Sequence, residues 1–242
     1  MSVRLVGKTL GTISGDIRIA SKNAVTQRIS VTGTVTGSYP TGNTFNLDGD
    51  RIYIPSTDKL KLEGSKNFTL EAWIYPESFG TAGNPVSNTN AILDKTAYAN
   101  NYALRCGGNG QLSMTINQGY SNKTVASADN ALTLNTWQHV AATYNDVTKA
   151  MKLYVNGVLV KTDYNQNWGS VTFTLGNENL YIGDSPAYSN RFFDGNIDDV
   201  RIWNRDKTEL EISRDRYGQI DINDSNLMAW YTFDHGVAGG SN

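Results

Sequence analysis

Residues 136–160, TWQHVAATYNDVTKAMKLYVNGVLV, contain the clearest strand and turn pattern in the chain. Residues 137–144 and 151–155 predict two β-strands joined by a short polar loop. Alternate residues of the second strand are apolar and share one face, as in half-buried strands: Met151, Leu153 and Val155. Asn156 and Gly157 follow, and because both residue types accept positive φ, they predict a type I′ turn. The stretch therefore indicates antiparallel β-sheet.

The composition narrows the classes of partner. Only 18% of the 242 residues are charged and the net charge is -2, so we expect no nucleic-acid partner. Cys106 is the single cysteine, which excludes an intrachain disulfide and a cysteine zinc site. No segment is apolar for long enough to insert into a membrane, and no signal peptide is visible at the N-terminus. Either a signal was removed, or the protein is assembled inside a cell without Sec export.

Residues 1–42 differ in composition from the rest of the chain, because they are rich in Thr, Ser, Val, Ile and Gly. Two runs alternate apolar with polar residues, with these apolar positions: Ile13, Ile17, Ile19, Ile29, Val31 and Val35. They predict a β-hairpin, which is marginally stable alone and needs a partner. Two interpretations remain open, an edge hairpin of the main domain or an anchoring and oligomerisation arm. We therefore divide the chain into residues 1–42 and residues 43–242.

The main domain is rich in strands and contains one helix signal. Residues 207–217 form this helix in our prediction, with Thr208 as the cap, Glu211 three positions later and Gly218 as the stop. Strand signals occur without a βαβ rhythm, which indicates an all-β, antiparallel two-sheet sandwich with one short helix near the C-terminus.

Several segments of the chain follow one another in the order that is typical of a known family. They are residues 45–55, 68–76, 137–144, 152–160 and 180–184, then FDGNIDDVRIW at 193–203 and LMAWYTFD at 227–234. In these segments the chain resembles the laminin G-like and pentraxin-like branch of the concanavalin A-like lectin/glucanase group, over about residues 44–236. The resemblance implies a jelly-roll sandwich in which the strands at 45–55 and 227–233 lie side by side. It is less informative about function, because this fold hosts lectins, adhesion modules and glycosidases.

A glycosidase needs two carboxyl groups that face each other across the scissile bond. Glucanases of the resembled group carry Glu-x-Asp-x-x-Glu on one strand, and this spacing is absent from the chain. Asp198 and Asp199 come nearest, but neighbouring strand residues point to opposite faces. His139 corresponds to a structural histidine of the family. We expect the protein not to be an enzyme.

Aromatic and amide side chains in the expected loops favour a binding function. Aromatic rings stack on sugar rings, while amides and carboxylates bind hydroxyl groups. The candidate ligand-binding residues form three groups: Asp184, Tyr188, Asn190 and Arg191; Asn117 and Tyr120; and Trp168. Each can also serve simply to hold a loop on the sandwich.

A calcium ion is a further expectation, because Ca²⁺ binds several oxygen ligands from carboxylates and carbonyls. Many relatives in the resembled family hold calcium with an acidic loop near the first strand and an aspartate that ends the last. Asp48, Asp50 and Asp234 stand at comparable positions. The alternative is that they only form turns.

Two functions remain open. The first is a non-catalytic carbohydrate-binding or adhesion module that contacts a cell-surface glycan or polysaccharide, at an extracellular or virion-like particle surface. The second is a structural decoration or fibre protein of a phage or injection particle. In that case residues 1–42 dock to a protein assembly partner.

Overall fold

A computed structural model of the chain describes residues 11–19, 27–35, 44–48, 51–62, 65, 67–79, 89–96, 101–118, 121–164, 178–185, 191–218 and 220–233. The chain divides into two compact units, Met1–Thr41 and Gly42–Asn242. In the first unit, β1 (Gly11–Ile19) pairs antiparallel with β2 (Gln27–Val35), with Ile17 opposite Ile29. The predicted hairpin strands are confirmed. Their role as an anchoring arm stays a prediction.

The second unit is built from the following elements in chain order: β3 (Phe45–Asp48), β4 (Ile52–Ile54), α1 (Asp58–Lys61), β5 (Asn67–Pro76), β6 (Thr89–Asp94), β7 (Tyr102–Gly107), β8 (Gln111–Gln118), β9 (Ser121–Ala126), β10 (Gln138–Asn145), β11 (Ala150–Val155), β12 (Val158–Tyr164), β13 (Leu180–Ile182), β14 (Asp194–Trp203), α2 (Glu209–Asp215) and β15 (Leu227–Tyr231).

These strands form two antiparallel sheets. The sheet with order β12-β11-β10-β5-β14-β15, in which β3 also pairs with β14, is called the back sheet. The sheet with order β4-β13-β6-β7-β8-β9 is called the front sheet. The predicted all-β jelly-roll sandwich is confirmed.

The core lies between the two sheets and follows the period-2 alternation of the strands. In β5, Phe68, Leu70, Ala72 and Ile74 are fully buried in one cluster with residues of the front sheet such as Leu104. Burying a Leu, Ile or Phe side chain contributes roughly 1.5–3 kcal/mol to folding. Alternation in β5 was visible in the sequence, and the structure confirms which face is apolar.

The turn between β11 and β12 has the predicted conformation. Asn156 and Gly157 have φ values of 51° and 77°, and Val155 pairs with Val158 across the turn. A Cβ at position 157 would lie 2.8 Å from the Cα of Ser213 in α2, so glycine is also required for this close approach.

Helix α2 begins with the predicted capping box. The Thr208 side chain accepts from the backbone N–H of Glu211, and the Glu211 carboxylate accepts from the backbone N–H of Thr208. Ile212 packs with Ala141 and Tyr154, which places α2 on the outer face of the back sheet. Helix α1 was not predicted, because a four-residue helix carries no periodic signal. No described helix is long and apolar enough to cross a membrane.

One expectation about the ends of the domain is wrong. β3 pairs with residues 194–197 of β14 and β15 pairs with residues 200–203, while β5 occupies the other edge of β14. The first and last strands therefore follow one another along one edge of β14 instead of lying side by side. β3 and β4 also belong to different sheets. The side-by-side arrangement was implied by the family resemblance, whereas the pairing in this chain depends on contacts between segments distant in the sequence.

Candidate functional site

A single row of side chains crosses the outer face of the front sheet. The register of the strands aligns one residue from each of them, and we call this set the outer row: Tyr53, Tyr181, Asp94, Ala103, Thr115 and Thr124. Neighbours of these residues in the chain, such as Leu180, Leu104 and Ile116, point into the core. Period-2 alternation therefore sends the outer row away from the core.

The β4–β13 end of the outer row is aromatic and accessible. The rings of Tyr53 and Tyr181 meet edge to face, with 5.6 Å between their centroids. Tyr53 is 55% exposed. The Arg51 guanidinium lies 5.8 Å from the Tyr181 ring centroid, and its Nη1 donates to Asp184 Oδ2 at 2.8 Å. We call Tyr53, Tyr181, Arg51 and Asp184 the tyrosine platform.

Electrostatics stabilises the charged edge of the tyrosine platform. The hydrogen bond to Asp184 and the carboxylate's charge raise the pKa of Arg51 above its ordinary value. Asp184 Oδ1 also accepts from the backbone N–H of Ser185 at 2.7 Å. The Arg51 side chain is 56% exposed and that of Asp184 is 4% exposed. The buried carboxylate thus positions an arginine that faces solvent.

The remainder of the outer row is mostly polar and offers little open surface. Arg105, on the same face of β7, donates to Asp94 through Nε and Nη2 at 2.9 and 2.6 Å and to Thr115 at 3.2 Å. The hydroxyl groups of Thr115 and Thr124 lie 2.9 Å apart. Asp94 is 0% and Arg105 is 3% exposed, so their charges are paired with each other inside the fold and are not open to a ligand. The accessible chemistry is at the tyrosine platform.

The structure brings two of the sequence-predicted site residues to the same strand. Asp184 follows Gly183, whose N–H donates to Ile92 O at 3.1 Å, and the N–H of Ala91 donates to Arg191 O at 2.9 Å. Both segments thus lie along β6. The Arg191 side chain is buried, whereas Asp184 belongs to the tyrosine platform.

Asn117 lies three strands away from β13 in the front sheet, where its backbone exchanges two hydrogen bonds with Asn101. The other predicted ligand-binding residues, Tyr120, Trp168, Tyr188 and Asn190, lie outside the described residues. For the whole predicted set, ligand binding stays a prediction.

The proposed calcium ligands fall mostly outside the described part of the chain. Asp50 and Asp234 are not among the described residues, and Asp48 is described only by its backbone, which pairs with Asp194. No group of three or more His, Cys, Asp or Glu side chains in the described residues is arranged to hold a metal ion. Calcium binding at Asp48, Asp50 and Asp234 stays a prediction.

The sequence contained a signal for the platform tyrosines that our prediction overlooked. Tyr53 stands between Ile52 and Ile54, and Tyr181 stands between Leu180 and Ile182. In both short strands the alternation places the tyrosine on the face opposite the apolar residues. The predicted ligand-binding residues instead lie in expected loops, where aromatic residues are numerous.

A second set of charged side chains lies beneath α2 on the outer face of the back sheet. Glu71 accepts from Lys207 Nζ at 2.6 Å and from Arg201 Nη1 at 3.3 Å, and His139 Nε2 lies 3.4 Å from its carboxylate. Asp199 accepts from Arg201, which completes the set that we call the buried charge cluster. Each of these side chains is at least 97% buried.

Burial and opposite charges set the pKa values in the buried charge cluster. Burial lowers the pKa of His139 to about 4, although the nearby Glu71 carboxylate opposes this shift. Burial by itself raises the pKa of Glu71, but Lys207, His139 and Arg201 together outweigh it and hold this pKa well below its ordinary range. His139 is therefore neutral near pH 7, and the cluster's carboxylates are held by cations.

Asp198 and Asp199 do not form a pair that faces a common substrate. The register between β14 and β5 shifts at this point, and Asp199 adopts a φ of 54°. Asp199 also accepts from the Trp230 indole N–H, while Asp198 Oδ1 accepts from the backbone N–H of Asp199 at 2.7 Å. Both side chains are buried, so their role is to hold the strand irregularity in place.

Comparisons with known proteins agree with this architecture. The family model described as concanavalin A-like lectin/glucanases superfamily, Laminin_G_3, matches residues 47–213. A candidate carbohydrate-binding protein from Bacteroides ovatus superposes with a TM-score of 0.61 and 23% identity, over 86% of this chain and 59% of that chain. No curated protein sequence matches this chain.

Two further solved structures have the same fold. The CBM40 of the Ruminococcus gnavus IT-sialidase, bound to α2,3-sialyllactose, gives a TM-score of 0.54 with 15% identity over 71% of this chain and 94% of that chain. The NanB sialidase of Streptococcus pneumoniae gives 0.57 with 16% identity over 76% of this chain and 28% of that chain. At these identities the likeness establishes the fold alone.

Proposed function

We propose that this chain, which belongs to the concanavalin A-like lectin/glucanases superfamily, is a non-catalytic carbohydrate-binding module. The observation that carries the proposal is the tyrosine platform, where the exposed Tyr53 ring meets the half-buried Tyr181 ring beside a solvent-facing arginine held by a buried aspartate. Solved structures with the same fold include a sialidase carbohydrate-binding module bound to a sialylated sugar. We assign glycan contact to the β4–β13 end of the front sheet.

The tyrosine platform offers the two kinds of contact that a sugar requires. An aromatic ring buries the apolar C–H face of a sugar ring, and each phenol hydroxyl can donate or accept a hydrogen bond. Arg51 uses Nη1 for Asp184, and a guanidinium carries five N–H donors. The remaining donors of this exposed side chain can reach the hydroxyl or carboxylate oxygens of a glycan.

The same groups support binding without hydrolysis. Glycoside hydrolysis requires one carboxyl group as the acid and a second as the base or nucleophile. Asp184 is the carboxylate of the tyrosine platform, and it is bound to Arg51 and to the Ser185 N–H. Because the Asp184 side chain is buried and engaged by both of these donors, it is not presented to a bound sugar as a catalytic carboxyl group.

A glycan array with the intact chain tests the proposal, with α2,3- and α2,6-sialyllactose among the probes. We expect Tyr53→Ala and Tyr181→Ala to weaken binding of the best glycan about tenfold or more, as loss of a central aromatic contact does. Tyr164→Ala is the matched control, because Tyr164 is 57% exposed but lies on β12 of the back sheet. A silent array with folded protein, or equal losses in all three variants, would overturn the proposal.

The array also tests whether the site residues predicted from the sequence contribute to glycan binding. Tyr188→Ala should weaken binding if the loop around Asp184 contributes to the site. Running the array with calcium and with a chelator tests Asp48, Asp50 and Asp234: loss of binding under chelation supports a calcium site, and unchanged binding removes it from the proposal.

A structural role in a larger assembly is the second candidate. It is favoured by the separate N-terminal unit, a two-stranded sheet of a kind that is marginally stable without a partner. In this proposal residues 1–42 dock to a virion-like particle or a cell-surface assembly. Deleting residues 1–42 should leave a folded sandwich that no longer assembles, as light scattering would show. If the truncated chain unfolds, the N-terminal hairpin belongs to the domain instead.

A further inference from the structure

We propose that the sandwich has a second sugar-binding site, specific for uncharged sugar residues, at the end of the sandwich where β7 turns into β8. A groove of about 630 Å³ opens there. We call it the end groove, and its principal lining residues are Phe79, Asn109, Asp129, Asn130, Leu132 and Leu134. None of them belongs to the tyrosine platform, so the inference extends the proposed function to an independent site.

The floor of the end groove is apolar. Leu132 is 3% exposed, and Phe79 is partly buried against the main core. Leu134 is 37% exposed and adds an accessible apolar side chain to this lining. An aromatic ring and two leucines at the base of an open groove provide a surface for the C–H face of a sugar ring.

The rim of the end groove is polar and exposed. Asn109, Asp129 and Asn130 all face solvent. The Asp129 carboxylate accepts from Asn109 Nδ2 at 3.2 Å and from Gln111 Nε2 at 2.7 Å. An ionised carboxylate has about four lone-pair sites, so it can still accept from sugar hydroxyls. Amides beside a carboxylate supply both donors and acceptors for a vicinal pair of hydroxyl groups.

Hydrogen bonds hold the end groove in shape. The N–H groups of Asn130 and Leu132 donate to Asn109 O and Gly110 O, each at 2.8 Å, and so tie segment 127–136 to the β7–β8 turn. Gly110 has a φ of 68°, and a Cβ there would lie 2.9 Å from Leu132 O. Glycine is therefore required where the two segments meet. A preformed groove loses little conformational entropy on binding.

Charge decides which sugars the end groove accepts. Among the described lining residues, Asp129 is the charged side chain. An anionic sugar such as a sialic acid would place its carboxylate near that of Asp129, and like charges repel at close range. The tyrosine platform has the opposite character, because its exposed charge is Arg51. Uncharged hexoses and N-acetylhexosamines thus match the end groove.

Amide chemical-shift mapping of the intact chain tests this site. The probes are methyl glycosides of galactose, glucose, mannose, N-acetylglucosamine and N-acetylneuraminic acid. We expect saturable shifts at residues 108–110 and 129–134 with at least one uncharged glycoside and none there with the sialoside. Asn109→Ala and Leu134→Ala, both at exposed positions, should weaken the response about fivefold or more, whereas Tyr53→Ala should leave it unchanged.

The possible results test the end groove independently of the tyrosine platform. No shifts in the end groove with any uncharged glycoside, or equal shifts with the sialoside, would overturn it. Loss of the end-groove response in Tyr53→Ala would also overturn it, because the sites would not be independent. A third outcome separates the two sites. If glycosides shift the end-groove resonances while Tyr53→Ala and Tyr181→Ala bind glycan like the unmodified chain, the end groove is supported and the tyrosine platform is rejected as a binding site.

Discussion

The outer faces of the two sheets carry charged side chains in the same kind of position but use them differently. On the back sheet, Glu71, His139 and Arg201 alternate with core residues and are covered beneath α2. At the β4–β13 end of the front sheet, Tyr53 lies within β4 and Arg51 directly precedes it, and both side chains remain exposed. Alternation determines which face a residue occupies, and the covering element determines whether that residue stabilises the fold or contacts a ligand.

This difference has an energetic consequence. In the buried charge cluster the charged groups have lost their hydration, and they are tolerated only because each carboxylate is matched by a cation at hydrogen-bonding distance. The Arg51–Asp184 pair keeps its arginine in water, so the same ion pair contributes less to folding and remains available to a ligand. The two faces should therefore respond differently to substitution.

The largest expected effect is the loss of Arg201. Arg201→Met leaves Asp199 buried without its cation and weakens the compensation of Glu71, so the free energy of unfolding should fall by about 3–5 kcal/mol. Urea denaturation measures this change. Arg51→Met is the control on the front sheet and should change stability far less. Equal losses for the two variants would show that exposure does not separate the two faces.

The second-largest expected effect is a loss of stability in acid, which arises in the buried charge cluster. The pKa of His139 is lowered from 6.5 to about 4 in the folded protein, so the unfolded chain binds the proton more readily between these values. Stability contributed by His139 is therefore complete above pH 6.5 and is lost as the pH falls through 4, an effect of about 3 kcal/mol. The lowered pKa of Glu71 acts in the same direction below its ordinary value of 4.5.

Measuring the free energy of unfolding between pH 4 and pH 7 tests this dependence. His139→Gln removes the titrating group and should flatten the profile in this range relative to the unmodified chain. A profile that stays equally steep would assign the acid sensitivity to other groups.

Removing the helix cap should have a smaller effect. Thr208→Ala deletes the side chain that accepts from the Glu211 N–H, and loss of a threonine cap costs about 1 kcal/mol. Because α2 covers the buried charge cluster, hydrogen exchange should accelerate at residues 209–215. Thr208→Ser keeps the hydroxyl and should restore protection. If both variants exchange alike, the cap does not hold α2 in place.

The smallest expected change in stability is that caused by substitution in the tyrosine platform. Tyr53→Ala should alter the free energy of unfolding by no more than about 0.5 kcal/mol, since Tyr53 is 55% exposed. The same substitution should weaken glycan binding about tenfold. Thermal denaturation together with the array measures both quantities, with Tyr164→Ala as the reference. A large stability loss for Tyr53→Ala would place this residue with the structural groups.

Local patterns predicted much of the fold. The Asn156-Gly157 turn, the apolar face of β5 and the Thr208–Glu211 capping box follow from interactions between residues close in the chain, and the structure confirms each of them. The resemblance to the laminin G-like group was confirmed by the family match over residues 47–213. These features can be predicted from the sequence because the interacting residues are close together in the chain.

The candidate site was only partly predictable. Asp184 was among the predicted ligand-binding residues and lies in the tyrosine platform, where its role in binding stays a prediction; alternation could also have identified Tyr53 and Tyr181 as outward residues. Their proximity could not have been deduced, because it depends on β13 inserting between β4 and β6. The end groove likewise joins the β7–β8 turn to segment 127–136 through backbone hydrogen bonds.

The main strands, their apolar faces, the tight turn and the helix cap can be predicted from local sequence, because each arises from dihedral preferences and contacts a few residues apart. The order of the strands, the end-to-end placement of β3 and β15 on β14, and the set of outward side chains covered by α2 depend on the folded chain. Burial depends on segments distant in the chain. It therefore took the folded chain to separate Glu71, a structural carboxylate, from Tyr53 and Arg51, which remain open to a ligand.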